Sequence, residues 1–122
     1  LIKDFTEMPV WQKAIEIAER CFLISADLPK QEDYALTSQL RRSAQSIAAN
    51  IAEGFGRRTA KDKSRFYDIS RGSAFETKSH LIYGNRVKYF SDNDCLQIHI
   101  LIDEVIFDLN KITNYLKNNS QY

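Results

Sequence analysis

The sequence is short of most of what metal chemistry, redox chemistry and membranes require. It holds two histidines, two cysteines, one methionine, one tryptophan and four glycines in 122 residues. A di-iron bundle enzyme takes a glutamate from each of two helices and a Glu-x-x-His pair from each of the other two. With only His80 and His99, and with Glu76 four rather than three positions before His80, that set cannot be assembled. No metal and no other cofactor is expected. The glycines form no phosphate-cradling loop of the P-loop or dinucleotide type. Cys21 and Cys95 lie far apart inside apolar helical patterns, without a dense cysteine framework around them. They read as buried, reduced thiols of a cytoplasmic protein. His99 is one turn from Cys95 on the same helix, and no other spacing suggests a nucleophile with its base. No arginine stands within a turn or two before either histidine, as a small helical ribonuclease would need. No apolar run approaches the ~20 residues that cross a bilayer. Strand patterns and internal repeats are missing too, so an enzyme is not the expected class.

The near-neutral total, a net charge of +1, hides an uneven distribution. Residues 1–35 carry a net −3, residues 36–58 a net +3, residues 59–90 a net +4 and residues 91–122 a net −3. A basic middle between acidic ends keeps polyanion binding open as a question of surface rather than of total charge.

What the sequence has in abundance is helical periodicity, enough for one domain over residues 1–122. Pro9 is well placed for a first helical turn. Val10, Ala14, Ile17, Cys21, Ile24 and Leu28 then form one apolar stripe, with Trp11, Ile15, Ala18 and Phe22 as a second beside it. Pro29 should end this first helix, at about 9–28. A second helix, about 33–54, runs through Leu36, Leu40, Ala44, Ile47 and Ile51. Ser43, Ser46, Ala48, Ala49 and Ala52 keep it slim, so a neighbour can approach closely. Gly54 and Gly56 should stop it, one of them in the left-handed cap position. Thr59, with Asp62 at the third position, looks like the N-cap of a third helix over about 60–89. Its inner line reads Phe66, Ile69, Ser70, Ser73, Ala74, Thr77 and Leu81. Gly72 sits in a run of small residues, which suggests close packing there. An antiparallel second and third helix would bring position 44 opposite position 70, and Arg42 within reach of Glu76. Ser91 to Asp94 caps a fourth helix, about 92–117, with heptad positions Ile98, Ile102, Val105, Leu109, Ile112 and Leu116. The polar residues 118–122 should fray. Four helices with short links predict an all-α, antiparallel up-down-up-down four-helix bundle.

Two features go beyond the fold. A basic cluster surrounds the connection between the second and third helices. Arg57, Arg58, Lys61, Lys63 and Arg65 could grip phosphates there, with Phe55 or Tyr67 for stacking. The bland counterpart is internal pairing: Arg42 to Glu76, and Asn50, Glu53 and Arg71 in a polar network. The second feature is surplus apolar surface. The double stripe of the first helix, and Leu96, Ile100 and Phe107 on the fourth, exceed what one bundle core absorbs and point to subunit contacts.

Three segments carry a family resemblance: VWQKAIEIAE (Val10 to Glu19), LTSQLRRSAQSIAANIAEGFGR (Leu36 to Arg57) and RFYDISRGSAFE (Arg65 to Glu76). The chain resembles the four-helix-bundle family of proteins encoded by intervening sequences within 23S ribosomal RNA genes of bacteria. More distantly, it is similar to the accessory protein of diversity-generating retroelements. For the first group the resemblance implies a left-handed bundle assembled into a ring, typically a pentamer, with no established enzymatic activity. For the second it implies binding to nucleic acid and to a reverse transcriptase through a basic surface, from which this near-neutral chain departs. The matching positions are Gln39, Arg41, Arg42, Asn50, Glu53, Gly54, Arg71, Gly72, Ser73 and Glu76, none of them catalytic. The expectation is a non-enzymatic homo-oligomer that binds structured RNA through helices two and three. A protein-interaction scaffold without nucleic-acid affinity is the alternative. An RNA-processing enzyme is argued against by the missing acid–base and metal constellations.

Overall fold

Proline at a first helical position gives up an amide that would have no partner there, and Pro9 opens the first helix on that principle. The computed structural model describes residues 1–119 of the chain. Over them run α1 (Pro9–Ser25), α2 (Leu36–Gly56), α3 (Ala60–Arg86) and α4 (Asp92–Asn119), with short 3-10 turns at Phe5–Glu7 and Lys30–Glu32. No strand occurs among the described residues. Helix α1 packs on α2 and α4, and α3 packs on α2 and α4, so the four stand at the corners of a square.

Polar contacts join each neighbouring pair and fix the direction of two of them. On α2 and α3, Ser43 meets Thr77, Ser46 meets Ser73, and the Ser70 hydroxyl donates to the Ile47 carbonyl. On α3 and α4, Cys95 reaches the Leu81 carbonyl and Lys78 reaches Asp103. Lys13 of α1 pairs with Asp108 of α4, and Arg41 of α2 reaches back to Ser25 at the end of α1. On α2 and α3, and on α3 and α4, residue numbers rise on one helix as they fall on its neighbour, which makes these two pairs antiparallel. Ile17, Leu40, Ile47, Ile51, Leu81, Ile98, Ile102 and Leu109 form its solvent-free centre. Burying a side chain of that size contributes about 1.5–3 kcal/mol.

The helix boundaries differ from the periodicity in instructive ways. Helix α1 stops at Ser25 rather than Leu28. The Ser25 hydroxyl donates to the Cys21 carbonyl at 2.7 Å, and Arg41 Nε donates to Ser25 at 2.8 Å, closing the helix end before Pro29 is reached. Helix α2 starts at Leu36, whose amide is met by the Glu32 carboxylate at 3.3 Å. Its far end runs on to Gly56, and Arg57 leaves it in an extended conformation; no glycine adopts a positive φ. The expected left-handed glycine cap is therefore absent. The longer helix also shifts the α2–α3 register, so that Ser70 lies opposite Ile47 rather than residue 44. Helix α3 starts as expected, with the Thr59 hydroxyl accepting from the Asp62 amide at 3.1 Å. It ends at Arg86 rather than Tyr89, and the left-handed position is Lys88, with φ 71°. Asn118 and Asn119 are helical rather than frayed; residues 120–122 lie outside those described.

The inner line of α3 also runs differently. Ser64, Tyr67, Ser70, Ser73, Ala74, Thr77, Leu81 and Gly84 are buried, whereas Ile69 is exposed and Phe66 half-buried. The close packing expected at Gly72 is found at Gly84 instead. Gly72 is exposed, and a Cβ there would meet nothing within 4 Å. At Gly84 a Cβ would collide with the Phe90 ring, because the chain folds straight back over α3. Tyr89 and Phe90 amides both donate to the Gly84 carbonyl, at 2.8 and 3.2 Å.

That contrast is measurable. Gly72→Ala should raise stability in urea unfolding by about 0.5–1 kcal/mol through helix propensity. Gly84→Ala should lower it by about 1–3 kcal/mol through overpacking against a buried ring.

Candidate interaction surfaces

The connection between α2 and α3 gathers the basic residues that the sequence singled out, and most of them are engaged with the chain itself. Arg57 lies 3.0 Å from Glu53 and 3.6 Å from Asp62, and its guanidinium sits 4.5 Å from the centre of the Phe66 ring. Arg65 reaches the same acid, Asp62, at 3.4 Å and the same ring at 4.4 Å. The Lys63 ammonium donates to the Phe55 carbonyl at 2.7 Å and to the Gly54 carbonyl at 3.4 Å. It thereby supplies a positive charge to the carbonyl end of α2, where the helix dipole favours one. Burial holds its pKa below the usual lysine value. Phe55 is half-buried against the core, with the Lys63 nitrogen 5.6 Å from its ring centre. Arg58 and Lys61 remain, both exposed and without an ion pair among the described residues.

Tyr67 is not available for stacking on a base. It is 3% exposed and lies beneath Gly54, where a Cβ would come within 2.7 Å of the tyrosine ring. The inner phase of α3 passes through Tyr67, and Phe66 is displaced to the turn, where it carries two guanidinium groups. Sequence reasoning assigned Phe66 to the core; only the Arg57 and Arg65 flanking it in sequence hint at its place.

The polar residues of α2 and α3 are positioned as follows. Arg42 lies 3.8 Å from Glu76, both side chains well exposed, and also donates to Gln39 at 2.8 Å. Asn50 donates to the carbonyl and the hydroxyl of Ser46, at 2.8 and 2.9 Å. Glu53 pairs with Arg57. Arg71 lies 5.1 Å from the centre of the Phe75 ring on its own helix and makes neither a hydrogen bond to Asn50 nor an ion pair with Glu53. Exposed pairs of this kind contribute about 0–1 kcal/mol each.

Two further surfaces are apolar. Between α1 and α2 runs a groove of about 1230 Å³ with Ile15, Ala18, Phe22 and Leu23 on its floor and flank. Glu16, Glu19, Arg20, Arg41 and Arg42 line its margins. Arg41 is held by the end of α1, its guanidinium 4.4 Å above the Phe22 ring, so it belongs to the wall and not to a free basic patch. On α4, Leu96, Ile100 and Phe107 are 56%, 52% and 63% exposed. At 100° per residue all three point directly away from the buried line Ile98, Ile102, Val105 and Leu109. Ile82 of α3 lines the same shallow hollow as Leu96 and widens this ridge.

The two cysteines are buried and unpaired. Burial pushes the Cys21 thiol up to about 12, with Cys95 adding to the effect, and Cys95 is raised too, chiefly by burial. Both are thereby poor nucleophiles. His99 lies between α3 and α4 with Nδ1 buried and without a hydrogen-bond partner. His80 Nε2 is 3.3 Å from Glu76. No group of three or more metal-ligating residues comes together among the described residues, and no helix there is long and apolar enough to cross a membrane.

A bundle with a hydroxyl-lined seam, a basic turn and two exposed apolar surfaces defines a class of small all-α proteins. The family model described as 23S rRNA-intervening sequence protein matches residues 6–111. The chain belongs to that family. Among solved structures it is similar to a protein from Bacteroides thetaiotaomicron, described as of unknown function and of the S23 ribosomal protein family. The TM-score is 0.78 at 27% identity, covering 85% of this chain and 97% of that one. A search of curated proteins finds no match.

His99 gives this surface a pH dependence. Burial lowers its pKa, Lys78 lowers it further and Asp103 opposes them. As pH falls, the unfolded chain takes up this proton before the folded one does. The stability that depends on neutral His99 is thus fully present above the usual value of 6.5 and is lost below it. The urea midpoint should fall between about pH 7 and about pH 5, and His99→Gln should make that fall shallower.

Proposed function

We propose that the protein is a non-enzymatic, cytoplasmic binding module that first associates with copies of itself. The observation that supports this reading is the pair of apolar surfaces that the monomer leaves in water. A bundle of this size has enough core to bury one stripe per helix, and three large apolar side chains opposite the core of α4 serve no purpose within a monomer. Their clear separation from the α1/α2 groove favours assembly over a single irregular core. Cys21 and Cys95 fit a reducing compartment, where buried thiols stay free. Membership of the intervening-sequence family agrees with self-assembly into a ring and adds no catalytic group to consider.

Structured RNA is the second partner in this reading, and Arg58 and Lys61 support it. They stand at the tip of the α2–α3 connection after the neighbouring cations have found partners within the chain. Two cations per copy form a weak site alone. An assembly that carries the same tip on every copy presents them together and gains affinity through effective concentration.

Chromatography with light scattering should give a multiple of 14.1 kDa at micromolar concentration; a monomer there would remove self-association. RNA affinity should fall steeply with added salt, since phosphate contacts release counterions. Arg58→Ala with Lys61→Ala should flatten that slope, while unchanged binding would take the connection out of the site.

A further inference from the structure

Helix α1 is the shortest of the four, and the bundle has an open corner where α1 has not yet begun. Lys13 pairs with Asp108, and Pro9 and Val10 share a hollow with Ile112, so α1 starts level with Ile112 of α4. Helix α4 runs on from Ile112 to Asn119, roughly 10 Å at 1.5 Å per residue. The turn Phe5–Glu7 lies against α1 and α2 rather than over that corner. A second hollow, of about 310 Å³, occupies it, between the start of α3 and the last turns of α4. Tyr67 forms its floor with Ile112 and Leu116, and Lys63, Lys111 and Tyr115 stand around it. Tyr115 is 65% exposed. Lys111, one turn before it on α4, is exposed and forms no ion pair among the described residues.

Both charged groups on this lining are cations, and no acid lines the hollow. The acids beside them in the chain are already paired: Asp62 with Arg57 and Arg65, and Asp108 with Lys13. Lys63 is anchored on the carbonyls at the end of α2, so its charge is fixed in place, whereas Lys111 has no such anchor. Such a lining fits a group with a flat, weakly polar face and an anion beside it. An unpaired nucleotide has that form, with a base to stack on a tyrosine and a phosphate to meet a lysine. A base inside a duplex does not, because its faces are covered and the A-form helix offers mainly phosphates and 2′-hydroxyls. An acidic peptide would bring amides that the rings and aliphatic groups of the floor leave unbonded. The volume, at the lower end of the range for small-ligand pockets, admits one such group.

We propose that this hollow receives one unpaired nucleotide of an RNA strand, its base against Tyr115 and its phosphate at Lys111. This rests on the RNA reading above and adds which RNA is taken: one with a loop, a bulge or a free end rather than a continuous duplex. Lys61 precedes Lys63 by two residues in the first turn of α3, so the strand that leaves the hollow meets Lys61 and Arg58 at the tip. The tip cations supply attraction that is blind to base pairing, and the hollow supplies the discrimination.

Fluorescence anisotropy with two probes tests the hollow: a short end-labelled oligoadenylate strand, and the blunt duplex that the same strand forms with oligouridylate. At equal salt the single strand should bind at least about ten-fold more tightly than the duplex. Tyr115→Ala should weaken single-strand binding about 5- to 100-fold, the usual worth of one stacked base, and leave duplex binding unchanged. Tyr115→Phe keeps the ring and should keep the affinity. Lys111→Ala should lower the salt slope for the single strand by about 0.7, one phosphate contact. Both side chains are exposed, and helical circular dichroism checks that the variants fold. Equal affinity for strand and duplex, or single-strand binding that Tyr115→Ala leaves intact, would overturn the hollow as a nucleotide site and leave RNA binding by Arg58 and Lys61 standing. Binding of neither probe at low salt would overturn both.

Discussion

The bundle depends on how closely α2 and α3 approach each other. Their shared surface is made of serine, threonine, alanine and glycine, and hydroxyls bond across it where larger residues would interdigitate. The Ser70 hydroxyl reaches the Ile47 carbonyl at 2.7 Å, a contact possible only if the two backbones lie near each other. Thr77 and Ser43 share a bond at 2.9 Å, and Thr77 also donates back to the Ser73 carbonyl at 2.8 Å. A buried hydroxyl is costly unless it is bonded. These contacts therefore do more to specify the register than to add net stability. A slip of one residue would break the Ser43–Thr77, Ser46–Ser73 and Ser70–Ile47 contacts together. With that pair fixed, α1 and α4 close the square, and Tyr67 fits beneath Gly54 because only a glycine leaves room there.

Much of this was legible in the chain. The heptad of α4 predicted the buried line down to Leu109, and the small residues of α2 predicted the seam. The threonine before α3 and the proline at the start of α1 marked helix beginnings, since caps and prolines act through local hydrogen bonds that depend on a few neighbouring residues. Helix ends were harder to read, because they are decided by contacts from elsewhere. Arg41 closes α1 from a different helix, and Phe90 bends the chain back over Gly84. A run such as Gly72-Ser73-Ala74 shows that small residues are present but not which of them faces the neighbour. From Ser70 to Leu81 the expected inner line is the buried one; only before it do Ser64 and Tyr67 take the place of Phe66 and Ile69.

The candidate site was legible in composition more than in geometry. Counting charges along residues 57–65 suggests a strongly positive tip. In space, Glu53 and Asp62 answer two arginines, and the α2 carbonyls take up the lysine at 63. What remains positive is small and lies at Arg58 and Lys61. The apolar surplus on α4 was easier to see, since a second stripe at heptad spacing has no place in the core. The groove was half visible. Its floor is the second stripe of α1, but its other side is built by Ser38, Arg41, Arg42 and Gln45 of α2, with Arg41 lying over Phe22, which involves two helices at once.

One contact at the far end of the molecule changes how the bundle can move. The Tyr89 hydroxyl donates to Glu32 at 3.0 Å, which joins the α3–α4 connection to the α1–α2 connection. Glu32 also receives the first amide of α2. That end is therefore latched across connections that are not consecutive in the chain. The opposite end has the α2–α3 tip and the C-terminal turns of α4, where Ile112 and Leu116 are only partly covered. At the latched end, a single carboxylate thus ties three helices: a change at Glu32 would free the first amide of α2 and untie the α3–α4 connection in one step.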